Sequence, residues 1–317
     1  MTPVAVIIPV YNTQATLARC IDSVLAQTMP ASEIIIVDDG SPDDAAAIAR
    51  DYATRYPVIK VISQENRGLA EARRTGINHA TSPLVMHLDS DDTLTADAIE
   101  FLYGKLTQND LDIAFGCFLR VPQGGNAYTI EHASEGEMNG SSEYIARCLD
   151  CNAINSSCCN LSKRSLWTDD VWPDGPERVP SEDILINLRL AFNVKRAGQY
   201  NHPVYCYYYN PSSLSIAGSL WQLDRWKQFF TLMENTLIDH GALQQNLAAL
   251  HSFKVFTLAF CTHNVDTGDP WVKQVLGTRH DGLSRKTRVL QSLLHYPRLL
   301  RFLVIANRRL KRLVNKH

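Results

Sequence analysis

The 317-residue chain predicts a doubly wound, mostly parallel α/β sheet with helices on both faces. Three observations predict it. Short, near-continuously apolar, β-branched runs alternate with amphipathic runs of helix length from the N-terminus onward. Acidic and Gly-bearing turns stand where the carboxyl ends of parallel strands would be, the place where such sheets bind ligands. The composition, 45% hydrophobic and 20% charged with a net charge of -2, is that of an ordinary globular protein, which excludes disordered, collagen-like and disulfide-scaffold classes.

Val4–Val10 opens the chain as a strand, because it is too short for a signal segment and has no basic residues before it. Thr13–Gln27 carries Leu17, Cys20, Ile21, Val24 and Leu25 on one helical face, with Thr13 in the position of an N-cap. Glu33–Val37, Val58–Ile62 and Leu84–Leu88 read as further strands, separated by helices at Asp43–Tyr56 and Leu69–Ala80. From about Phe115 the alternation gives way to longer loops, with Gly124-Gly125 and a Ser- and Cys-rich stretch from Ser134 to Ser162. A helix is expected at Ser181–Arg196, a strand at Val204–Tyr209, and mostly helical sequence from Leu220 onward. The resulting divisions are 1–115, 116–218 and 219–317.

No 18 apolar residues follow one another, and the nearest run, Leu299–Ala306, is interrupted by Arg301, so no membrane span is expected. Without an export signal the chain is expected to be cytoplasmic with reduced thiols. Cys148, Cys151, Cys158 and Cys159 could in principle close a four-thiolate zinc site, but adjacent cysteines make tetrahedral closure awkward, and buried packing is the better expectation. Of the 31 Lys and Arg, ten lie in residues 285–317, which hold no acid. There Leu299, Phe302, Leu303, Ala306, Leu310 and Leu313 fall on one helical side, and Arg301, Arg308, Arg309 and Arg312 on the other. Such a helix, through residues 298–316, either rests on an anionic membrane leaflet or packs on the protein with its basic face in water. No nucleic-acid-binding motif accompanies the charge, so nucleic acid is not an expected partner.

Three clusters carry the chemistry. Asp89-Ser90-Asp91-Asp92 places three carboxylates within four residues, where they repel one another unless a cation or a diol lies between them. A hard divalent ion fits, since Mg²⁺ or Mn²⁺ bridges one or two carboxylates to substrate phosphates; an acidic helix-capping turn is the plainer alternative. Asp38-Asp39-Gly40-Ser41 is by itself an ordinary strand-to-helix turn. Asn66-Arg67-Gly68 stands at a helix start, where free N–H groups favour anions.

Taken together with Val6-Ile7-Ile8-Pro9-Val10-Tyr11-Asn12, Asn66 to Gly76 and Ser181-Glu182-Asp183, these segments resemble the family 2 glycosyltransferases, inverting nucleotide-sugar-dependent enzymes of GT-A fold, over about residues 3–215. The resemblance implies that residues 1–115 form the nucleotide-sugar-binding half of a GT-A domain and 116–218 its acceptor half, with a helical region after them. Pro9, Tyr11 and Asp39 would hold the nucleotide base, UDP being the expected carrier, with Asn66, Gly68 and Arg73 lining the same pocket. Asp89 and Ser90 would lie on the ribose side, and Asp91, with Asp89, would bind Mn²⁺ or Mg²⁺ on the diphosphate. Asp183 would be the base that takes the proton of an acceptor hydroxyl on a glycan or lipid-linked saccharide, since such a hydroxyl has a high pKa. Without the resemblance, Ser181, Glu182 and Asp183 read as a helix cap. A sugar-nucleotide nucleotidyltransferase would usually show a Gly-rich loop where this chain has Pro9-Val10-Tyr11-Asn12, and an inactive nucleotide-binding module is the non-enzymatic alternative.

Gln222-Leu223-Asp224-Arg225-Trp226 looks like the Q-x-x-R-W element of processive polysaccharide synthases. Those enzymes are built around membrane helices, and Trp221, Leu223 and Trp226 fit one amphipathic face, so packing is expected. Trp167, Trp172 and Tyr207 to Tyr209 could stack on sugars, although aromatics at this density more often anchor a core.

Overall fold

The structure, a computed structural model, describes residues 3–150, 153–173, 179–210, 222–260, 265–280 and 282–296. The chain divides into two compact units, Met1–Cys148 with Asn152–Ser213, and Leu149–Cys151 with Leu214–His317.

The first unit is organised on one sheet. Strand β1 (Val4–Val10) lies between β2 (Glu33–Asp38) and β4 (Leu84–His87), with β3 (Ile59–Ser63) outside β2, all parallel. Every residue of β1 and β2 is buried, so neither strand alternates, as expected where both sheet faces are covered. The connecting helices are α1 (Leu17–Leu25), α2 (Ala45–Arg55) and α3 (Leu69–His79). Helix α3 approaches β1 so closely that a Cβ on Gly76 would collide with the Ile7 side chain, which is why glycine stands there.

Beyond β4 the order continues through β9 (Asn160–Lys163), β6 (Ile113–Val121), β10 (Arg196–Tyr208) and the two-residue β5 (Thr93–Leu94), with β7 (Tyr128–Ile130) on β6 and β8 (Gly136–Asn139) on β10. Residues on both sides of position 115 therefore share one sheet. Because β9 is antiparallel to both β4 and β6, and β6 is parallel to β10, the strands β6 and β10 run in the direction of β1. The carboxyl ends of β1, β2, β4, β6 and β10 thus form one rim. Helices α4 (Ala98–Gln108), α5 (Ser141–Cys148) and α6 (Glu182–Leu190) complete the unit.

Three expected boundaries move clearly, the start of α1, the end of α6 and the start of β10. Helix α1 begins at Leu17 because Thr13 does not cap it: its carbonyl closes a preceding turn, accepting from Thr16 and Leu17 N–H, while its hydroxyl donates to Ser90 Oγ at 3.0 Å. Helix α6 stops at Leu190, and Arg196 opens β10, because the Asp112 carboxylate accepts from the Lys195 and Arg196 N–H groups at 2.7 and 3.0 Å and pins them beside β6.

The second unit holds α7 (Leu223–Asp239), α8 (Leu243–Phe260), α9 (Pro270–Gly277) and α10 (Arg285–Leu294). Trp226 is buried against Phe229 and Phe230, and Phe253 closes the aromatic cluster, so the tryptophan of the Gln222–Trp226 segment is a packing residue. Helix α9 starts where Asp269 accepts from the Trp271 and Val272 N–H groups, with Pro270 at the first helical position. Among the described residues no helix is long and apolar enough to cross a membrane. The basic stretch 298–316 and Cys151 lie outside the described residues.

Candidate active site

The acidic turns expected at the strand ends do share the carboxyl rim. Asp38 pairs with Val10 in the β1–β2 register, and the Asp39 N–H donates to the Val10 carbonyl at 2.9 Å, which sets Asp39 at the carboxyl end of β1, where Tyr11 follows. Asp39 is buried. Its Oδ1 accepts from Gln64 Nε2 and from the Arg67 N–H, and its Oδ2 from the Gly68 N–H, at 2.8–2.9 Å. Gly68, at φ 92, supplies the left-handed backbone that turns the chain into α3. Asp39 therefore fastens the Asn66–Gly68 segment to the rim, and Oδ2 retains room to accept one more hydrogen bond. Pro9 is buried in β1, whereas Tyr11 and Asn66 are exposed.

Beyond β4, Asp89 to Asp92 form a turn closed by the Asp92 N–H on the Asp89 carbonyl at 3.0 Å. Ser90 is buried and held by Thr13 and Thr16, the latter donating to its carbonyl at 2.9 Å. Asp91 Oδ2 accepts from Asn210 Nδ2 at 2.8 Å, and the Asp91 carbonyl accepts from Arg19. Burial pushes the Asp91 carboxyl up, against its hydrogen bond from Asn210 and together with the charge of Asp89. Burial, then the charges of Asp91 and Asp89, push Asp92 up to about 8, although it accepts from Tyr205 Oη and from the Tyr208 N–H at 2.8 Å. At Asp91 and Asp92 burial thus outweighs the hydrogen bonds.

Arg73 links this turn to the helix carrying Asp183. Its guanidinium is 1% exposed; Nη2 donates to Asp89 Oδ1 and Nη1 to Asp183 Oδ1, both at 2.8 Å. Cys158 fills the remaining corner, its Sγ lying 3.3 Å from both Arg73 Nη2 and Asp89 Oδ2. Such a buried cation is stable only when paired and hydrogen-bonded. Asp183 Oδ1 also accepts from Ser157 Oγ at 2.8 Å, and the Asp183 carbonyl from Asn187 Nδ2. Among the described residues no hydrogen bond reaches Asp183 Oδ2, and the side chain is 31% exposed. One oxygen is anchored and the other is available to take a proton. The left-handed Ser181, at φ 54, turns the chain into α6 so that Asp183 stands in its first turn.

Both oxygens of Asp89 already have protein partners, whereas among the described residues no other residue donates to Asp91 Oδ1. No group of three or more His, Cys, Asp or Glu among them could hold a metal alone. That suits an Mn²⁺ or Mg²⁺ ion bound by Asp91 together with substrate phosphates rather than in a protein cage.

Sequence reasoning set Arg73 in the nucleotide pocket; the fold buries it as the link between two carboxylates 16 and 110 residues away. The sequence carries no motif for Ser157, Tyr205 and Asn210, which come from irregular or strand segments, and Cys158, expected as a packing residue, also contacts Arg73 and Asp89. Cys148, Cys158 and Cys159 are buried free thiols, with Cys148 and Cys159 pushed up to about 12 by burial. Trp167 and Trp172 are buried and stacked on each other at 5.2 Å, so they belong to the core.

The model of glycosyl transferase family 2 matches residues 5–168, more than half of the chain. The chain belongs to glycosyl transferase family 2. The match covers the strands β1 to β9, both acidic turns and Arg73, while β10 and Asp183 lie beyond it. Among curated family relatives, the uncharacterized glycosyltransferase YibD of Escherichia coli K12 is 30% identical over 229 residues, 67% of this chain and 62% of YibD. The uncharacterized glycosyltransferase EpsJ of Bacillus subtilis is 44% identical over 114 residues, 36% of this chain and 33% of EpsJ. These alignments span less than two thirds of either relative. In fold, the chain is similar to the S. aureus TarS 1–349 crystal structure in complex with UDP, with a TM-score of 0.67 at 17% identity over 94% of this chain and 87% of that one. The GT-A sheet inferred from the sequence is thereby matched by a solved fold.

Proposed function

We propose that this family 2 glycosyltransferase moves a sugar from a UDP-sugar to a hydroxyl of a glycan or lipid-linked acceptor in cell-surface polysaccharide or lipopolysaccharide synthesis, with inversion at the anomeric carbon. The observation that carries the reading is the Arg73 bridge, which brings Asp89 of the donor turn and Asp183 together on one guanidinium. In fold-related TarS, structures with UDP and with UDP-GlcNAc support the same donor class, and a chondroitin synthase among the relatives, 36% identical over 111 residues, supports a glycan acceptor.

In this reading Asp39, Tyr11, Pro9 and the Asn66–Gly68 segment hold the base, the spare capacity of Asp39 Oδ2 accepting the uracil N3–H. Asp89 and Ser90 face the ribose. Asp91 would hold Mn²⁺ or Mg²⁺, which when bound neutralises charge on the diphosphate. Asp183 Oδ2 takes the proton of the acceptor hydroxyl as its oxygen bonds to the anomeric carbon and the bond to the diphosphate breaks. Arg73 and Ser157 fix the other oxygen, so the base is positioned before the acceptor arrives. The basic stretch 298–316 serves as a contact with the anionic inner leaflet, placing transfer at the cytoplasmic face.

The test is proton NMR of the products when UDP-GlcNAc and UDP-glucose are supplied with Mn²⁺ and a panel of saccharide acceptors. A β-glycoside from an α-linked donor is the expected product; retention of the α configuration, or release of UMP in place of UDP, would sink the single-displacement reading.

A further inference from the structure

Strands β7, β6 and β10 lie side by side, and their register sets two rows of side chains on one sheet face. Arg120 stands opposite Tyr128 on one side and Tyr207 on the other; Phe118, two residues earlier, stands opposite Ile130 and Tyr205. Directly paired residues, and residues two apart on a strand, share a face. Ring contacts bear this out, with Phe118 edge-on to Tyr205 at 5.3 Å and tilted against Tyr207 at 6.0 Å, and the Arg120 guanidinium over the Tyr207 ring at 3.9 Å.

The inner end of this face is part of the candidate active site, because Tyr205 Oη donates to Asp92 and accepts from the Asp89 N–H at 3.3 Å. The outer end is open: Tyr128 is 55% exposed, and Arg120 and Tyr207 are half-buried. Since β6 and β10 run with β1, Arg120 and Tyr207 lie toward the carboxyl rim that carries Asp39 and Asp89. Among the described residues no carboxylate or hydrogen-bond acceptor engages the Arg120 side chain. Its N–H edges are therefore available while its face rests on a ring, an arrangement suited to a planar anion beside a stacked sugar.

We propose that the Tyr128–Arg120–Tyr207 face is the acceptor subsite, built for a saccharide that bears a carboxylate or phosphate. Sugar C–H faces pack on Tyr128 and Tyr207, and Arg120 reads the anion. This inference rests on the proposed transfer, for which the face supplies the specificity-determining residues.

The full-length chain is titrated by NMR with trigalacturonate, N-acetylglucosamine 1-phosphate and neutral maltotriose, as wild type and as Arg120→Gln and Tyr128→Ala. Wild type is expected to bind both anionic saccharides more tightly than maltotriose. Arg120→Gln should remove that preference with a loss of about fivefold, the scale of one partly exposed charged contact. Tyr128→Ala should weaken all three by about threefold, through lost ring contact. UDP affinity with Mn²⁺, measured alongside, reports on the donor site and on folding of the variants. Equal affinity for the three probes, a preference that survives Arg120→Gln, or no binding of any probe at about 10 mM overturns the subsite. A flat UDP titration with the saccharide preference intact faults the donor reading alone.

Discussion

Glu33 opens β2 at one edge of the parallel strands and the Asp89–Asp92 turn follows β4 at the opposite edge, and burial acts with opposite outcome on Glu33 and on Asp91 and Asp92. At the amino end of β2, Glu33 accepts from the Thr81 and Ser82 N–H groups, from both their hydroxyls, and from Lys60 Nζ at 2.9 Å. Burial would raise its pKa, but the donors from Ser82, Lys60 and Thr81 outweigh it and hold the carboxyl down at about 2. At the carboxyl end, burial is not offset: Asp91 is raised and Asp92 stands at about 8. The donors around Glu33 overcome its burial, and those around Asp91 and Asp92 do not. Burial that outweighs the hydrogen bonds at one rim, beside hydrogen bonds that outweigh burial at the other, is the contrast expected between a ligand site and a structural joint.

The largest way to break this comparison is Asp183→Asn. Transfer should fall by roughly 10²- to 10⁴-fold, the range of general-base catalysis, while UDP binding stays near wild type; the pair of assays is initial transfer rate and calorimetry. Normal turnover would remove Asp183 from the chemistry.

Glu33→Gln sharpens the structural side. The folded pKa of about 2 lies below the ordinary 4.5, so the stabilisation is fully present above about pH 4.5 and is lost as pH falls toward 2. The variant should lose about 3 kcal/mol at neutral pH. Its deficit relative to wild type should shrink across that window, measured by urea unfolding at several pH values. A constant deficit from pH 7 to 2 would mean that shape, not charge, matters at this joint.

Lys60→Ala should have the smallest effect. Lys60 is half exposed in its pair with Glu33, so its loss should cost no more than about 1 kcal/mol, with the Thr81 and Ser82 donors still in place. A larger loss by the same unfolding measurement would shift the weight of the joint from the backbone donors to the ion pair.

Much of the first half was legible because local signals and tertiary demands agree there. Apolar runs such as Val4–Val10 become two-face-buried strands, and the turns at Asp38 and Asp89 fall on the rim that the alternation implies. The second half was less legible. Whether Arg196 ends a helix or starts a strand is decided by the carboxylate of Asp112, far away in sequence. The partnership of Arg73 with Asp183 spans 110 residues and depends on Cys158 and Ser157 in a stretch without periodicity. The Tyr128–Arg120–Tyr207 row depends on register across three strands, which no local pattern records.

The most direct measurement is calorimetric titration of the chain with UDP, with and without Mn²⁺, in wild type and in Asp91→Asn. If the acidic turn awaits a metal-bound diphosphate, wild type binds UDP more tightly with Mn²⁺, and Asp91→Asn loses that gain while still folding. If Mn²⁺ makes no difference to wild type, or Asp91→Asn keeps the full gain, the metal assignment is contradicted. If UDP does not bind at all, the acidic rim is structural and the donor reading falls with it.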